Sequence, residues 1–189
     1  MVMGPSCGLA LADLGAEVMK VEPLAGDNTR RLEAAGVGFF PVFNRNKKSL
    51  AIDLQKPEGR DIVLKLLNNA DVLTENFRPG ALDKLGFSFD ALKKTNPRLI
   101  YCSLKGFLKG PYEHRLALDE VTQMMGGLAY MTGLPDRPLR AGSSVMTLPL
   151  APGAKGQPPS PPSELSKWRT PSWYAASALA RPRPRVLCK

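Results

Sequence analysis

Two short segments of the sequence combine a basic residue, a glycine and an aromatic residue at close spacing. The first is Asn76-Phe77-Arg78-Pro79-Gly80-Ala81, followed by Lys84, and the second is Lys105-Gly106-Phe107. An aromatic ring can lie against a flat base, and lysine and arginine can pair with phosphates, so the segments suit a nucleotide-like ligand. Taken without further context, solvated surface lysines and a turn aromatic packed into the core are the preferred explanation.

Both segments follow apolar runs that are typical of β-strands. Apolar runs alternate with amphipathic ones over residues 1–147, which is the rhythm of βαβ units. The sequence predicts strands at 17–21, 50–54, 71–75 and 99–104, and helices at 6–14, 57–69, 89–95 and 118–131. The clearest helix is 57–69, which starts at Pro57 and places Ile62, Val63, Leu66 and Leu67 on one face. We therefore expect an α/β fold with a mainly parallel sheet, whose ligands bind beyond the carboxyl ends of the strands.

Residues 148–189 differ in composition from the rest of the chain. They hold nine of the 18 prolines and both tryptophans, and seven Lys or Arg against one acidic residue, which gives +6 of the total charge of +9. Proline at this density interrupts helices and sheet ladders, so we expect a disordered tail after a folded domain of residues 1–147. A PxxP-type ligand segment and an RNA-contacting tail are alternatives. Confinement of the excess charge to this Pro-rich tail argues against a nucleic-acid partner.

The number and spacing of the cysteines indicate the redox environment of the protein. Cys7, Cys102 and Cys188 are far apart, with neither CxxC spacing nor a histidine cluster nearby. This pattern argues against a metal site and favours a reduced, cytoplasmic protein. No run of about 18 apolar residues is present, so we expect no membrane association.

Six blocks in residues 1–146 resemble the signature blocks of the family III CoA-transferases, also called the CaiB/BaiF family, in order and spacing. They are DLGAEVMKVE, GDNTR, NRNKKSLAIDLQKPEG, ADVLTENFRPGALDKLGF, NPRLIYCSLKGF and RPLRAGSSVM. The resemblance implies a Rossmann-like large domain, and two interlocked subunits in a homodimer with coenzyme A near their interface. It further implies an acyl-CoA and a small carboxylic acid as substrates, with no tightly bound cofactor.

The resemblance also assigns candidate CoA-binding residues. Ile52 would lie near the CoA adenine beside Asn76 and Phe77, and Ala81 and Lys84 would continue that surface. Lys105 would lie near the CoA phosphates, and Arg30 is a weaker candidate for a phosphate contact or a structural role. Core packing is the alternative for Ile52 and Ala81.

The expected nucleophile is missing from this pattern. Transferases of the family use an aspartate carboxylate to take the acyl group as a mixed anhydride and pass it to a new acid. The RAGSSVM block places Thr147 at that position, and a threonine hydroxyl forms no anhydride. We therefore predict no catalytic residue and an inactive CoA-transferase, or alternatively a non-catalytic CoA- or protein-binding fragment.

The sequence departs from the family pattern in two further respects, a residue that a related enzyme requires and the length of the chain. Leu118 stands where the related α-methylacyl-CoA racemase needs a histidine, which disfavours a racemase. The resemblance also predicts truncation at both ends. In the family a strand ending in a VLDLTR-like sequence precedes the position of Met1, so we expect the sheet to lack a central strand.

Overall fold

The computed structural model of the chain describes residues 2–107, 110–115, 118–142, 154–155 and 183–188. The described helices are α1 (Met3–Asp13), α2 (Phe39–Asn44), α3 (Pro57–Asn68), α4 (Phe89–Thr95), α5 (Asp119–Met125) and α6 (Leu128–Thr132). The described strands are β1 (Glu17–Glu22), β2 (Lys47–Ala51), β3 (Val72–Glu75), β4 (Ile100–Ser103), β5 (Ala154–Lys155) and β6 (Arg185–Cys188). Short 3₁₀ turns occur at Asn28–Arg31, Ala34–Gly36 and Asp83–Leu85.

These strands form one sheet in the order β2-β1-β6-β3-β4-β5. Neighbours from β2 to β4 run parallel, and β5 is antiparallel to β4. Counted from β6, the parallel strands have the 3-2-1-4-5 order of a doubly wound sheet, with β6 in the position of the first strand. In that arrangement the ligand crevice opens beyond the carboxyl ends of the middle pair, which here is β6 and β3. The predicted α/β fold with a mainly parallel sheet is confirmed.

β6 belongs to the segment that the sequence predicted to be disordered. Val186 lies opposite Val18 on one side and Val72 on the other, and the last three residues of β6 are buried. The prediction of disorder is therefore wrong for residues 183–188. Pairing with a strand on each side provides hydrogen-bond partners for the backbone N–H and C=O groups of β6. The nearby prolines precede the strand, so they do not interrupt its hydrogen bonds. Apart from residues 154–155, the remainder of 148–182 lies outside the described residues.

The sequence predicted that a central strand would be missing from the sheet, but β6 lies between β1 and β3 in the middle of the sheet. The Glu17 amide donates to the Pro184 carbonyl at 2.9 Å, and the Asp71 amide donates to the Arg185 carbonyl at 2.8 Å. The Arg185 amide in turn donates to the Asp71 carboxylate at 2.8 Å. β6 thus gives both halves of the sheet a ladder partner, although it comes from the opposite end of the sequence to the strand that the resemblance predicted.

The predicted helices agree with the structure except in detail. α3 begins at Pro57 and buries Val63 and Leu67, but Ile62 is 47% exposed, so the predicted apolar face is narrower than expected. The predicted helix at 118–131 is two helices, α5 and α6. They are separated at Gly127, which has a φ of +79° that a helix interior does not allow.

The core lies on both faces of the sheet, as the alternation of side chains along β6 illustrates. Leu187 joins the larger cluster beneath α3 and α4, with Val21, Leu54, Val63, Leu67, Ala70, Leu73, Leu82, Phe87, Leu92, Leu99 and Tyr101. Val186 and Cys188 point the other way and pack with Ala12 and Val18 beneath α1. None of the helices in the described ranges is long and apolar enough to span a membrane.

Candidate functional site

A cleft of about 970 Å³ opens beyond the carboxyl ends of β3 and β4. Its lining comes from the segments after these two strands, from residues 113–115, from the starts of α1, α2 and α5, and from Arg140. The lining residues are Val2, Met3, Phe39, Asn76, Phe77, Arg78, Pro79, Leu104, Lys105, Gly106, Phe107, Glu113, His114, Arg115, Leu118, Asp119, Glu120 and Arg140. The two segments that the sequence singled out therefore meet at one site, because parallel strands end at the same edge of the sheet.

A buried carboxylate joins these two segments. Glu75 is 2% exposed and accepts hydrogen bonds from the Lys105 ammonium at 2.8 and 3.1 Å and from the Ser103 hydroxyl. The Phe77 amide also donates to it, at 2.7 Å. Lys105 donates in addition to the Phe77 carbonyl at 2.6 Å. The three protons of the ammonium group are therefore directed to acceptors within the protein, and the Lys105 charge is balanced by Glu75.

Aromatic residues line the cleft: Phe39, Phe77 and Phe107. Phe77 is half-buried and packs against the larger core cluster. The centres of the Phe107 and Tyr112 rings are 5.9 Å apart, and the Arg115 guanidinium lies 5.2 Å from the centre of the Tyr112 ring. The contacts of Phe77 and Phe107 hold these two rings at the cleft, where a flat ligand group could stack on them.

The cations of the cleft differ in how far their charge is already balanced. Within the described part of the chain, Arg78 makes no ion pair and no side-chain hydrogen bond, and it is exposed. Arg115 lies against Tyr112. Arg140 is 3.4 Å from the Glu120 carboxylate and 3.8 Å from that of Asp119. Arg78 and Arg115 are therefore better placed than Lys105 to meet an anionic ligand.

A second buried carboxylate, that of Asp119, lines the cleft at the start of α5. Asp119 is 7% exposed, and it accepts a hydrogen bond from the fully buried Gln123 one turn later. Gln123 also accepts a hydrogen bond from the Ala141 amide at 2.7 Å. This network holds the described part of the RAGSSVM block beside the cleft. Thr147 itself, the predicted position of the missing nucleophile, lies outside the described residues.

The structure brings together three of the seven predicted binding residues: Asn76, Phe77 and Lys105 all line the cleft. Ile52 packs against the larger core cluster. Ala81 and Lys84 follow the lining segment but do not line the cleft, and Lys84 is exposed. Whether any of these residues contacts coenzyme A stays a prediction.

Arg30 lies elsewhere and has a structural partner. Its guanidinium donates to the buried Glu22 carboxylate at 2.7 and 3.0 Å and stacks 3.7 Å from the centre of the Phe40 ring. The hydrogen bonds from Arg30, with further ones from Ser49 and the Asp27 amide, lower the pKa of Glu22 to about 2 against the opposing effect of burial. Of the two roles that the sequence allowed for Arg30, the structure supports the structural one.

Sequence reasoning overlooked several lining residues. Met3 lines the cleft because α1 begins beside the carboxyl end of β6, a relationship that depends on a strand the sequence did not predict. Arg115 and Arg140 carry no local signal beyond their charge. In the described ranges no group of three or more His, Cys, Asp or Glu residues could hold a metal ion.

Comparisons with known proteins agree on one family. Residues 1–151 match the profile of CoA-transferase family III. A formyl-CoA:oxalate CoA-transferase from Rhodopseudomonas palustris is 42% identical over 140 residues, which cover 71% of this chain and 33% of that protein. A succinyl-CoA–D-citramalate CoA-transferase from Chloroflexus aurantiacus is 43% identical over 150 residues, covering 75% of this chain and 37% of that protein.

Solved structures give the same result for the fold. A CaiB/BaiF family protein from Brucella suis superimposes with a TM-score of 0.72 and 41% identity, over 78% of this chain and 42% of that chain. A protein from Mycobacterium tuberculosis superimposes with a TM-score of 0.71 and 36% identity over the same shares. The chain spans about a third of the length of the curated relatives that it matches.

Proposed function

The chain belongs to CoA-transferase family III, and from this membership we propose that its cleft binds the nucleotide end of an acyl-CoA. The observation that carries the proposal is the cleft beyond β3 and β4, which is lined by the half-buried Phe77 and by the next residue, the exposed Arg78, whose guanidinium lacks a partner among the described residues. A flat, apolar surface beside a cation matches a ligand that joins a base to phosphates.

The base is assigned to the side of the cleft formed by Asn76 and Phe77. The Phe77 main chain is held at both ends, since its amide donates to Glu75 and its carbonyl accepts from Lys105. Its ring packs against the larger core cluster, so it loses little conformational freedom when a base stacks on it. The Asn76 amide has both donors and an acceptor to offer to a base edge.

The phosphates are assigned to Arg78 and Arg115. Both line the cleft, and neither is in an ion pair within the described residues. The resemblance favoured Lys105 for this role, but its ammonium donates to Glu75 and Phe77. We assign Lys105 instead to positioning Phe77, so that its effect on binding is indirect.

The second part of the proposal is that this chain binds an acyl-CoA without transferring it. Acyl transfer in the family passes through an aspartyl anhydride, and the RAGSSVM register offers Thr147 in place of the aspartate. Asp119 lines the cleft, but its carboxylate is hydrogen bonded to Gln123 and close to Arg140. Those contacts stabilise the carboxylate in place and favour a structural role.

Titration calorimetry with coenzyme A tests the binding part. Arg78→Ala removes a charged contact and should weaken CoA binding about ten-fold or more, since a hydrogen bond to a charged group contributes about 1.5–3 kcal/mol. Lys84→Ala is the matched control, because it removes an exposed cation outside the cleft and should change affinity less than about two-fold. ADP should compete with CoA, whereas pantetheine, which lacks the nucleotide, should not. Equal affinities of wild type and Arg78→Ala, or competition by pantetheine alone, would refute the assignment.

Mass spectrometry tests the second part. Purified protein is mixed with an acyl-CoA and an isotopically labelled carboxylic acid, and the masses of the thioester and of the intact protein are measured. We expect neither label in the thioester nor a covalent adduct on the protein. An acyl adduct that maps to Asp119, with turnover lost in Asp119→Asn, would show that the chain carries its own nucleophile.

A further inference from the structure

The part of the cleft that comes from α1 and α2 is apolar. It consists of Val2 and Met3 at the start of α1 and of Phe39, the first residue of α2, and we call these three residues the apolar wall. Every other segment of the described lining contains at least one charged or titratable side chain. The apolar wall therefore differs in chemistry from the rest of the cleft.

The apolar wall and Phe77 reach the cleft from opposite faces of the sheet. α1 packs through Ala12 on the face to which Val186 points, and α2 packs against α1. Phe77 packs against the larger core cluster, which holds Leu187 on the other face. A ligand whose base lies on Phe77 can therefore extend from one face of the sheet edge towards the other.

A half-buried lysine of β2 fixes α1 to α2. The Lys47 ammonium donates to the Pro5 carbonyl in α1 at 2.7 Å and to the Phe43 carbonyl in α2 at 2.8 Å. The centre of the Phe43 ring lies 5.8 Å from that of the Phe39 ring. These contacts hold the apolar wall in place without a ligand, and a preformed surface lowers the entropy cost of binding.

The charges of the cleft leave little to balance a further negative charge on the ligand. Arg140 lies within 3.8 Å of the carboxylates of Asp119 and Glu120, and Lys105 is paired with a buried carboxylate. The other two arginines of the described lining are those assigned to the phosphates. A carboxylate at the end of an acyl chain would therefore be desolvated without a cation of its own, which costs far more than burying a methyl group.

We propose that the apolar wall binds the acyl chain of the thioester, and that the preferred acyl group is that of an aliphatic monocarboxylic acid rather than a dicarboxylic acid. The inference rests on the proposed function, because the base on Phe77 leaves the acyl end of the same ligand to the opposite face. Apolar side chains contribute to affinity in proportion to the acyl surface that they remove from water.

Titration calorimetry of the full chain with a series of thioesters tests the preference. Acetyl-CoA and hexanoyl-CoA differ by four methylenes, and each methylene that is fully buried tightens binding about four-fold. In a cleft open to solvent we expect hexanoyl-CoA to bind about ten-fold or more tightly than acetyl-CoA. Adipoyl-CoA and 6-aminohexanoyl-CoA have chains of the same length that end in a charge, and each should bind at least about ten-fold more weakly than hexanoyl-CoA. An affinity that does not rise with chain length, or tightest binding of a charged thioester, would overturn the proposal.

A charge placed on the apolar wall tests its location. Met3→Lys should abolish the rise with chain length and bring the affinities for hexanoyl-CoA and adipoyl-CoA within about two-fold of each other. Leu14→Lys is the matched control, because Leu14 is 71% exposed at the other end of the same helix and does not line the cleft. Phe39→Gln is a second substitution in the wall and should reduce the rise as well. Circular dichroism verifies that each variant is folded. A wild-type dependence on chain length in both wall variants would contradict the assignment.

Two further measurements separate this inference from the proposed function. Arg78→Ala should weaken acetyl-CoA and hexanoyl-CoA by the same factor and leave the ratio of their affinities unchanged. Hexanoyl-pantetheine, which lacks the nucleotide, should bind at least several-fold more tightly than acetyl-pantetheine. This difference without any effect of Arg78→Ala would refute the nucleotide assignment alone, whereas an effect of Arg78→Ala without the difference would refute the acyl assignment alone. Absence of binding by every thioester would refute both.

Discussion

The Lys105 ammonium lies 2.8 Å from the buried Glu75 carboxylate, and by this contact the end of β3 is joined to the segment that follows β4. The same ammonium also donates a hydrogen bond to the Phe77 carbonyl and thereby holds the main chain at Phe77. One ion pair therefore sets the distance between the two segments that line most of the cleft.

Replacing Lys105 should destabilise the protein through Glu75. Lys105→Met keeps most of the side-chain volume but leaves a buried carboxylate without its cation. We expect a loss of about 2–4 kcal/mol in the free energy of unfolding, measured by urea denaturation. The double variant Glu75→Gln with Lys105→Met removes both charges and should recover part of the loss. Lys84→Met, at an exposed lysine, should change stability by less than about 0.5 kcal/mol. Wild-type stability in Lys105→Met would contradict the importance of the pair.

The pair of Glu22 and Arg30 predicts a dependence of stability on acid. The folded-state pKa of Glu22, about 2, lies below its ordinary value of 4.5. Its contribution is therefore fully present above about pH 4.5 and is lost as the pH falls towards 2. Allowing for solvent around the partly exposed Arg30, we expect this contribution to be about 1–2 kcal/mol. Urea denaturation between pH 2.5 and 6 measures it. Arg30→Met should flatten this part of the profile, and an unchanged slope in that variant would assign the acid sensitivity to other carboxylates.

The buried position of β6 predicts a large effect of truncating its side chains. Leu187 is 5% exposed and packs in the larger core cluster, so Leu187→Ala should cost about 2–5 kcal/mol in the free energy of unfolding. Arg183→Ala changes an exposed residue just before the same strand and should cost less than about 0.5 kcal/mol. Thermal or urea unfolding of both variants gives the comparison. Equal stability of the two variants would mean that the core closes without β6.

Gly59 in α3 predicts a reversal of the usual helix preference. Alanine normally stabilises a helix by up to about 1 kcal/mol relative to glycine. A β-carbon on Gly59, however, would lie 2.0 Å from the Asp53 carbonyl oxygen. Gly59→Ala should therefore destabilise the protein by about 1–3 kcal/mol. Gly38→Ala, where a β-carbon meets nothing within 4 Å, should change stability by less than about 1 kcal/mol in the same assay. A gain in stability for Gly59→Ala would show that the backbone of Asp53 moves away without cost.

Elements whose signal is local could be predicted from the sequence, and β6 could not. α3 follows from a proline at its first position and from apolar residues that recur on one face, so its start was predicted correctly. β6 consists of four residues after a run of alternating proline and arginine. Its identity as a strand comes from ladder pairing with β1 and β3, whose residues are more than 100 positions away. Composition in a local window carries no record of such pairing.

The sequence predicted where the candidate site lies, but it did not predict which of the charged residues there are paired. The parallel sheet and the two segments at strand ends correctly brought Phe77 and Lys105 to one cleft. The sequence could not show that Glu75, the last residue of a strand, is buried and takes up the charge of Lys105. It also could not show that Arg78, in the middle of the first segment, is left without a partner among the described residues.

The central place of β6 also sets the order in which the sheet can assemble. β1 with β2, and β3 with β4, are pairs of strands that are neighbours along the chain, so each pair can form while the chain is still being synthesised. β6 follows all of them in sequence, yet it is the strand that joins the two pairs. Before β6 has paired with them, β1 and β3 each present an open edge that another chain could pair with. Slow closure is expected, because this last step makes the contacts of greatest sequence separation. Chains made at high concentration would then associate through these edges before each had completed its own sheet.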